Sequence, residues 1–460
     1  MFCKGKSNLN IINMRQRLLL TGILGTVCSS FYAENKLPNI VLINMDDMGY
    51  ADVEHTGGKV STPNINRISD EGITFTQFYT ASSASSASRA ALMTGCYPER
   101  VGINWVLDPE SPIGLNPNEI IIPELLKQKD YNTVCIGKWH LGDKKGALPT
   151  SHGFDEFYGL KYSHDMRPRH LVDGENVLKE VSNNEIGSLT KDLTDKTLEY
   201  IEKYKDSKNP FFIYYASPLP HVPLGVSKEF NNISGKGLYY DVITEIDYSI
   251  GRLLNKLDEY NLTDNTLVIF ISDNGPWLLF GNHGGSSGVF REGKATTFDG
   301  GQHLMCFMRW PKKIKEKSIC NAVISNMDIL PTLAAITETK LSENYIDGKN
   351  IYNLMRNKSK RSPHKDLFFL LRNEVQAIRS GKWKLHIPHK YWSVNIQGNN
   401  GKMGNYKTKN LELSLYDLEN DPSESINLAK KYPKIANKMM NKIKRFQNHI
   451  NIEKREAGRY

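Results

Sequence analysis

Four short apolar runs in this chain each end in residues that carry chemistry. Residues 37–45 run into Asp46-Asp47, and residues 131–136 run into Gly137-Lys138-Trp139-His140. Residues 211–215 lead to Pro218-Leu219-Pro220-His221, and residues 266–271 lead to Ser272-Asp273-Asn274-Gly275. Runs this rich in β-branched and aromatic residues suit strands buried on both faces of a parallel sheet. In open α/β sheets ligands bind beyond the carboxyl ends of the strands, so the four polar termini converge on one expected site.

Helical patterns separate the runs. Leu193, Thr197, Ile201 and Tyr204 recur at helical spacing, and Val242, Ile243, Ile246, Ile250, Leu253, Leu254 and Leu257 form a longer apolar stripe. The alternation predicts an α/β sandwich around a mostly parallel sheet, over residues 34–340. Beyond about residue 340 the texture changes. Residues 378–387 and 411–418 read as antiparallel strands, and the Gly-, Asn- and Lys-rich stretch 393–410 reads as a loop. Ile435, Met439, Ile443, Phe446 and Ile450 then mark an amphipathic helix. Residues 341–460 are therefore expected to form a small C-terminal α+β subdomain with an antiparallel sheet.

The formal charge of +9 sits at the ends of the chain. Residues 430–460 hold ten Lys or Arg against Glu453 and Glu456, which leaves the body slightly acidic. That distribution excludes a nucleic-acid groove as the reading of the charge. Arg15 and Arg17 precede an apolar run over 18–27, so residues 1–33 read as an export signal to the periplasm or beyond. The run is too short for a permanent membrane span. Cys28 is a candidate lipoprotein cysteine, but Val27 before it does not fit the small residue expected there. Cys96, Cys135, Cys306 and Cys320 fit no zinc spacing and read as core thiols.

The chemistry concentrates in residues 82–95, Ser-Ser-Ala-Ser-Ser-Ala-Ser-Arg-Ala-Ala-Leu-Met-Thr-Gly. A helix starting there would offer free N–H groups and a positive dipole to an anion. Ser85-Ser86-Ala87-Ser88-Arg89 resembles the serine version of the sulfatase signature, and Arg89 fixes its register. Thr62-Pro63-Asn64, Gly137-Lys138-Trp139-His140, Pro220-His221-Val222-Pro223, Ser272-Asp273-Asn274-Gly275, Gly293-Lys294-Ala295 and Leu415-Tyr416-Asp417 follow the same family's blocks in order. Over about residues 37–430 the chain is similar to the arylsulfatase A-like, formylglycine-dependent group of type I sulfatases. The resemblance implies an alkaline phosphatase-like fold and hydrolysis of sulfate esters on sulfated polysaccharides or glycans.

It also implies roles. Ser85 matches the residue oxidised to formylglycine (3-oxoalanine), whose hydrate attacks sulfur; an unmodified serine is a weak nucleophile. The serine version implies a radical-type maturase as a partner. Asp46, Asp47, Asp273 and Asn274, with the group at Ser85, form an all-oxygen donor set suited to a hard cation. Calcium rather than magnesium follows from the resemblance. Arg89, Lys138 and Lys294 match positions that hold the nucleophile and sulfate, and they would offset charge developing in the transition state. His221 is implied to protonate the leaving alcohol, and His140 to assist the hydrate. Ser163 matches a sulfate contact; His164, Asp165, Arg167, Arg291 and His303 are candidates to line the substrate pocket. Cys96 stands where the family often has arginine, and Gly301-Gln302-His303 departs from the usual pattern. Two alternatives carry the same residues. One is a phosphodiester or phosphonate hydrolase using Ser85 directly; the other is a non-catalytic sulfated-glycan binder.

Overall fold

Strand β1 (Asn39–Met45) is the axis of the molecule, with Ile40, Val41, Leu42 and Ile43 entirely shielded from solvent. A fully buried aliphatic side chain contributes about 1.5–3 kcal/mol, so a strand apolar on both faces is driven to the centre of its sheet. The computed structural model describes residues 36–460; the export signal expected over 1–33, with Cys28, lies outside the described residues. Residues 37–460 form one compact unit.

The other elements follow in chain order: β2 (Ile73–Tyr79), α1 (Ser85–Thr94), β3 (Asn132–Lys138), α2 (Leu189–Tyr204), β4 (Phe211–Ala216), α3 (Leu238–Glu259), β5 (Thr266–Ser272) and β6 (His303–Arg309). The main sheet runs β2-β6-β5-β1-β4-β3, and Glu156–Leu160 continues it beside β3. β1 pairs in parallel with β4 and β5, and β3 pairs in parallel with β4. β6 is antiparallel to both β5 and β2, so the sheet is mixed but mostly parallel. All four apolar runs become central strands, and both helical stripes become helices. Their carboxyl ends share one edge of the sheet. β2 reaches that edge too, and the chain turns there into α1.

Gly137 shows how tightly that edge is built. Its φ is 100°, and a Cβ there would lie 2.0 Å from the carbonyl oxygen of Ala216 on β4. Only glycine tolerates both conditions, so Lys138 is delivered at a fixed point.

The C-terminal part has a four-stranded antiparallel sheet. It contains β7 (Leu367–Leu371), β8 (Glu374–Ser380), β9 (Trp383–His386) and, after a separate hairpin, β12 (Ser414–Asp417). The stretch expected over 378–387 is thus two strands, turning at Gly381 with φ 60°. Residues 393–410, expected as a loop, are instead most of a hairpin of β10 (His389–Ile396) and β11 (Asn405–Leu411). Its glycines, Gly398, Gly401 and Gly404, all lie in the connection. Helix α4 (Pro433–Ile452) lays Ala436, Met439, Ile443 and Ile450 on the sheet residues Ile378, Leu385 and Leu415. Lys434, Lys438 and Lys444 stay exposed, a solvated basic face. The four cysteines are free and buried. Among the described residues, no helix is long and apolar enough to cross a membrane.

Candidate active site

The Ser85 hydroxyl opens the first turn of α1. It donates at 3.2 Å toward Asp46 Oδ1 and toward Asn274 Oδ1, which follow β1 and β5. Ala84 before it is extended, so the helix begins at this residue with unsatisfied N–H groups and its positive dipole end. No acidic residue occupies that first turn.

Three carboxylates meet beneath Ser85. Asp46, Asp47 and Asp273 are buried, and each offers an oxygen within 4.8 Å of the others. Three cations answer them. Lys138 Nζ lies 2.6 Å from Asp46, Arg89 NH2 2.8 Å from Asp273, and Lys294 Nζ 2.7 Å from Asp47. Asn274 closes the ring by donating to Asp47 Oδ1 at 2.7 Å. Asp47 and His140 hold left-handed backbone, with φ 61° and 63°. Such conformations cost non-glycine residues energy and cluster at functional sites.

The electrostatics are uneven. Burial works against an ionised Asp46, but Lys138, His221 and Arg89 outweigh it and hold its pKa well below the usual range. Burial lifts Asp47 to about 7; Lys294 opposes that rise while Asp46 and Asp273 add to it. Burial also raises Asp273, against Arg89. Lys138 is lowered by burial, whereas Asp47 holds Lys294 above its ordinary value despite burial. Three protein cations therefore leave one carboxylate near protonation. An all-oxygen site short of positive charge fits a hard divalent cation, held by Asp46, Asp47, Asp273 and Asn274.

The two imidazoles differ. His221 Nδ1 donates to the Val222 carbonyl at 2.5 Å, which leaves Nε2 as the basic nitrogen, 3.6 Å from Asp47 Oδ2. Burial and Lys294 lower its pKa to about 3. His140 Nε2 bonds the Leu107 carbonyl at 2.9 Å, and burial with Lys138 holds it well below its ordinary value. A bound sulfate would raise both toward neutrality, because negative charge favours imidazolium.

These groups form the floor of a cavity of about 290 Å³, lined by Ser85, His140, Ser163, Asp165, His221 and Lys294. Asp165 is exposed at the cavity wall; partial desolvation pushes its pKa upward, but His221 and Ser163 pull it down to about 2. Arg89 and Lys138 lie beneath the floor, fully buried. His164 sits behind it: Nε2 bonds the Pro223 carbonyl at 2.9 Å and the ring packs on His221. Burial lowers its pKa.

Three expected lining residues are elsewhere. Arg291 stacks on Phe298 at 4.1 Å and donates to the Tyr391 hydroxyl and the Glu424 carbonyl, each at 2.8 Å. It pins the C-terminal part rather than facing substrate. His303 is stacked between Phe290 and Tyr79 and bonds Asp299 at 3.2 Å. Arg167 is exposed and bonds Asn183 at 2.9 Å. Cys96 lies 3.3 Å from the Arg455 guanidinium, which also grips Glu119.

The cavity walls were not anticipated. Trp105, Val106, Met166, Trp277, Trp392 and Tyr406 surround the floor. Lys294 Nζ sits 4.6 Å over the Trp277 ring, and Trp277 Nε1 donates to the Tyr406 hydroxyl at 2.8 Å. Trp392 and Tyr406 come from the β10–β11 hairpin. Their signal was the alternation of Lys390, Trp392 and Val394 against Tyr406, Thr408 and Asn410, which places them on one face.

Comparison with known proteins gives the family and the fold. The family model described as Sulfatase matches residues 38–339, and the model for the C-terminal region of aryl-sulfatase matches 362–460. Arylsulfatase A of Bos taurus is 34% identical over 445 residues, covering 89% of this chain and 87% of the relative. A sulfatase structure from a Bacteroides thetaiotaomicron locus for metabolism of multiple glycosaminoglycans superposes with a TM-score of 0.77. It has 27% identity and covers 90% of this chain and 100% of that one. Ps i-CgsB, solved with k-i-k-neocarrahexaose, gives a TM-score of 0.76 and 29% identity, covering 89% of this chain and 93% of that one.

Proposed function

This chain belongs to the sulfatase family and is a sulfuric ester hydrolase, and we propose that it is an exported, calcium-dependent enzyme that removes sulfate from glycans through a formylglycine at position 85. One observation carries the chemistry. The Ser85 side chain stands at a helix N-terminus between Asp46 and Asn274, with Lys294 and two imidazoles facing the same cavity. When present, the formylglycine would supply the nucleophile and the cation would draw charge from the sulfate oxygens.

The chain's own residues do the rest. The N–H groups of α1 and the Lys294 ammonium favour an anion on the cavity floor. Arg89 and Lys138 hold Asp273 and Asp46 in place, so the donor set is preorganised. His221 presents Nε2 toward the cavity, where a proton acquired on sulfate binding is passed to the leaving oxygen. His140, fixed through Leu107, is the second proton carrier beside Ser85. The aromatic walls shed water and offer flat faces to sugar rings.

The glycan assignment is supported by those walls and by the glycosaminoglycan and carrageenan contexts of the two structural neighbours. The basic-then-apolar sequence of residues 15–27 supports export, and the serine signature supports a radical-type maturase as partner. Among the described residues one acidic cluster is placed to hold a metal, which favours this reading over a hydrolase with a richer metal site.

The test is a mass spectrum of the tryptic peptide covering 68–89, made in a host that matures serine-type sulfatases. A loss of two hydrogens at Ser85, with sulfate released from sulfated oligosaccharides, is expected. Unmodified serine with full activity would overturn the formylglycine. Turnover of aryl sulfates alone would overturn the glycan assignment.

A further inference from the structure

A second cavity, of about 210 Å³, adjoins the first and shares Trp392 and Ala295 with it. Its wall includes Arg372 from the β7–β8 turn and Lys390 from β10. Arg372 is on the surface, yet it is held. Its guanidinium carbon lies 4.0 Å from the Trp105 ring centre and 5.0 Å from that of Trp392. Both indoles also line the reaction cavity, so the cation sits at its rim.

Solvated arginines on a surface are usually mobile. Here two aromatic rings hold the guanidinium, which lowers the entropy lost when it binds. Among the described residues no carboxylate pairs with Arg372. The nearby Glu374 accepts instead from Gln376 at 2.8 Å, and Lys390 on the same wall adds a second cation. A flat cation with its forked donors free, beside an indole face, suits a sugar that carries an oxyanion.

We propose that this second cavity binds the sugar next to the one losing sulfate, and that Arg372, helped by Lys390, holds an anionic substituent on that neighbour. The substituent is a sulfate or a carboxylate, since both present the planar pair of oxygens that a guanidinium matches. The proposal rests on the glycan reading above and narrows it to oligosaccharides with charge on consecutive units.

Binding to full-length protein with unmodified Ser85 tests this without turnover. The calorimetric probes are a chondroitin 6-sulfate disaccharide, its carboxyl-reduced form, and an ι-carrageenan disaccharide whose neighbouring sugar keeps a sulfate. The charged-neighbour sugars should bind about tenfold more tightly than the reduced one, the worth of one charge-assisted hydrogen bond. Whichever charged sugar shows that advantage identifies the substituent. Arg372→Gln should erase the advantage, Arg372→Lys should restore part of it, and Lys390→Gln should reduce it about threefold. Equal affinity for charged and reduced sugars in the parent protein would overturn the subsite. So would an Arg372→Gln loss shared equally by all three probes. Binding of none of them, with aryl sulfate turnover by the matured enzyme, would overturn the glycan reading itself.

Discussion

Among the described residues, two buried clusters of charge are built differently. The first gathers Asp46, Asp47 and Asp273 beneath Ser85 and opens to a cavity. The second joins the C-terminal sheet to the main body. There Lys384 of β9 reaches Asp299 at 2.7 Å and Glu424 at 3.1 Å, while His386 bonds Glu424 at 2.9 Å. Tyr79 and His303 complete the shell of Asp299. In the second cluster acids and cations alternate, and protein groups meet every carboxylate. In the first, three acids crowd together. Each cluster has one acid held far below its ordinary pKa, Asp46 or Asp299, and one lifted to about 7, Asp47 or Glu424. Burial is the leading cause of both rises, but only Asp47 has two carboxylate neighbours adding to it. The same residue types thus make the donor set of the proposed cation site in one place and a joint between layers in the other.

The sharpest separation should come from Asp47→Asn. Sulfate-ester kcat/KM should fall at least ~10³-fold, since the variant loses one carboxylate of the proposed metal set and the Lys294 anchor. Calcium at one hundred times its dissociation constant should stabilise the parent by about 2.7 kcal/mol, and much less in the variant. Thermal melts with calcium and with chelator check this; equal calcium shifts in both proteins would break the contrast.

Lys384→Met should act in the opposite way. Removing the cation strands Asp299 and Glu424 in the interior, a loss of roughly 3–5 kcal/mol, read in urea unfolding. Calcium should not rescue it. A variant as stable as the parent would show that the second cluster is not a joint.

The pH dependence sharpens the comparison further. Glu424 is raised from 4.5 to about 7, so the folded state holds a proton that the unfolded state releases. Its contribution is full below pH 4.5 and is lost as pH rises through about 7, on the order of 3 kcal/mol. The stability difference between the parent and Glu424→Gln should therefore shrink over that window, with or without calcium. Asp47 has the same sign in chelator, but calcium should lower its pKa and remove its share. A calcium-sensitive Glu424 window would merge the two clusters.

The smallest effect concerns the cavity wall. Tyr406→Phe removes the hydroxyl that receives the Trp277 N–H, worth about 1 kcal/mol. KM for a glycan substrate should rise about fivefold with kcat little changed. A fall in kcat alone would move Tyr406 from the wall into the chemistry.

Part of the floor of the candidate site was legible in sequence because it follows strands whose runs are apolar on both faces, whereas Ser85 opens a helix and Lys294 lies in a loop. Asp46, Lys138, His221 and Asp273 needed only the rule that such strands share an edge. The walls were not legible. Residues 393–410 are polar and glycine-rich, and Trp392 of the hairpin lines the cavity with Trp277 and Trp105, far away in the chain. Arg291 was not legible either, and His303 is held by Tyr79, more than two hundred residues upstream. Whether an arginine faces substrate or pins Tyr391 is decided by a sheet roughly a hundred residues downstream, and local pattern carries no record of it.

The aromatic walls also make the protein its own optical probe. Three of its six tryptophans, Trp105, Trp277 and Trp392, border the reaction cavity, whereas Trp139 and Trp310 are buried in the core. A saccharide settling against those indoles would change their emission while the buried pair stayed constant. Occupancy could then be followed in real time, without a label and before any bond is cut.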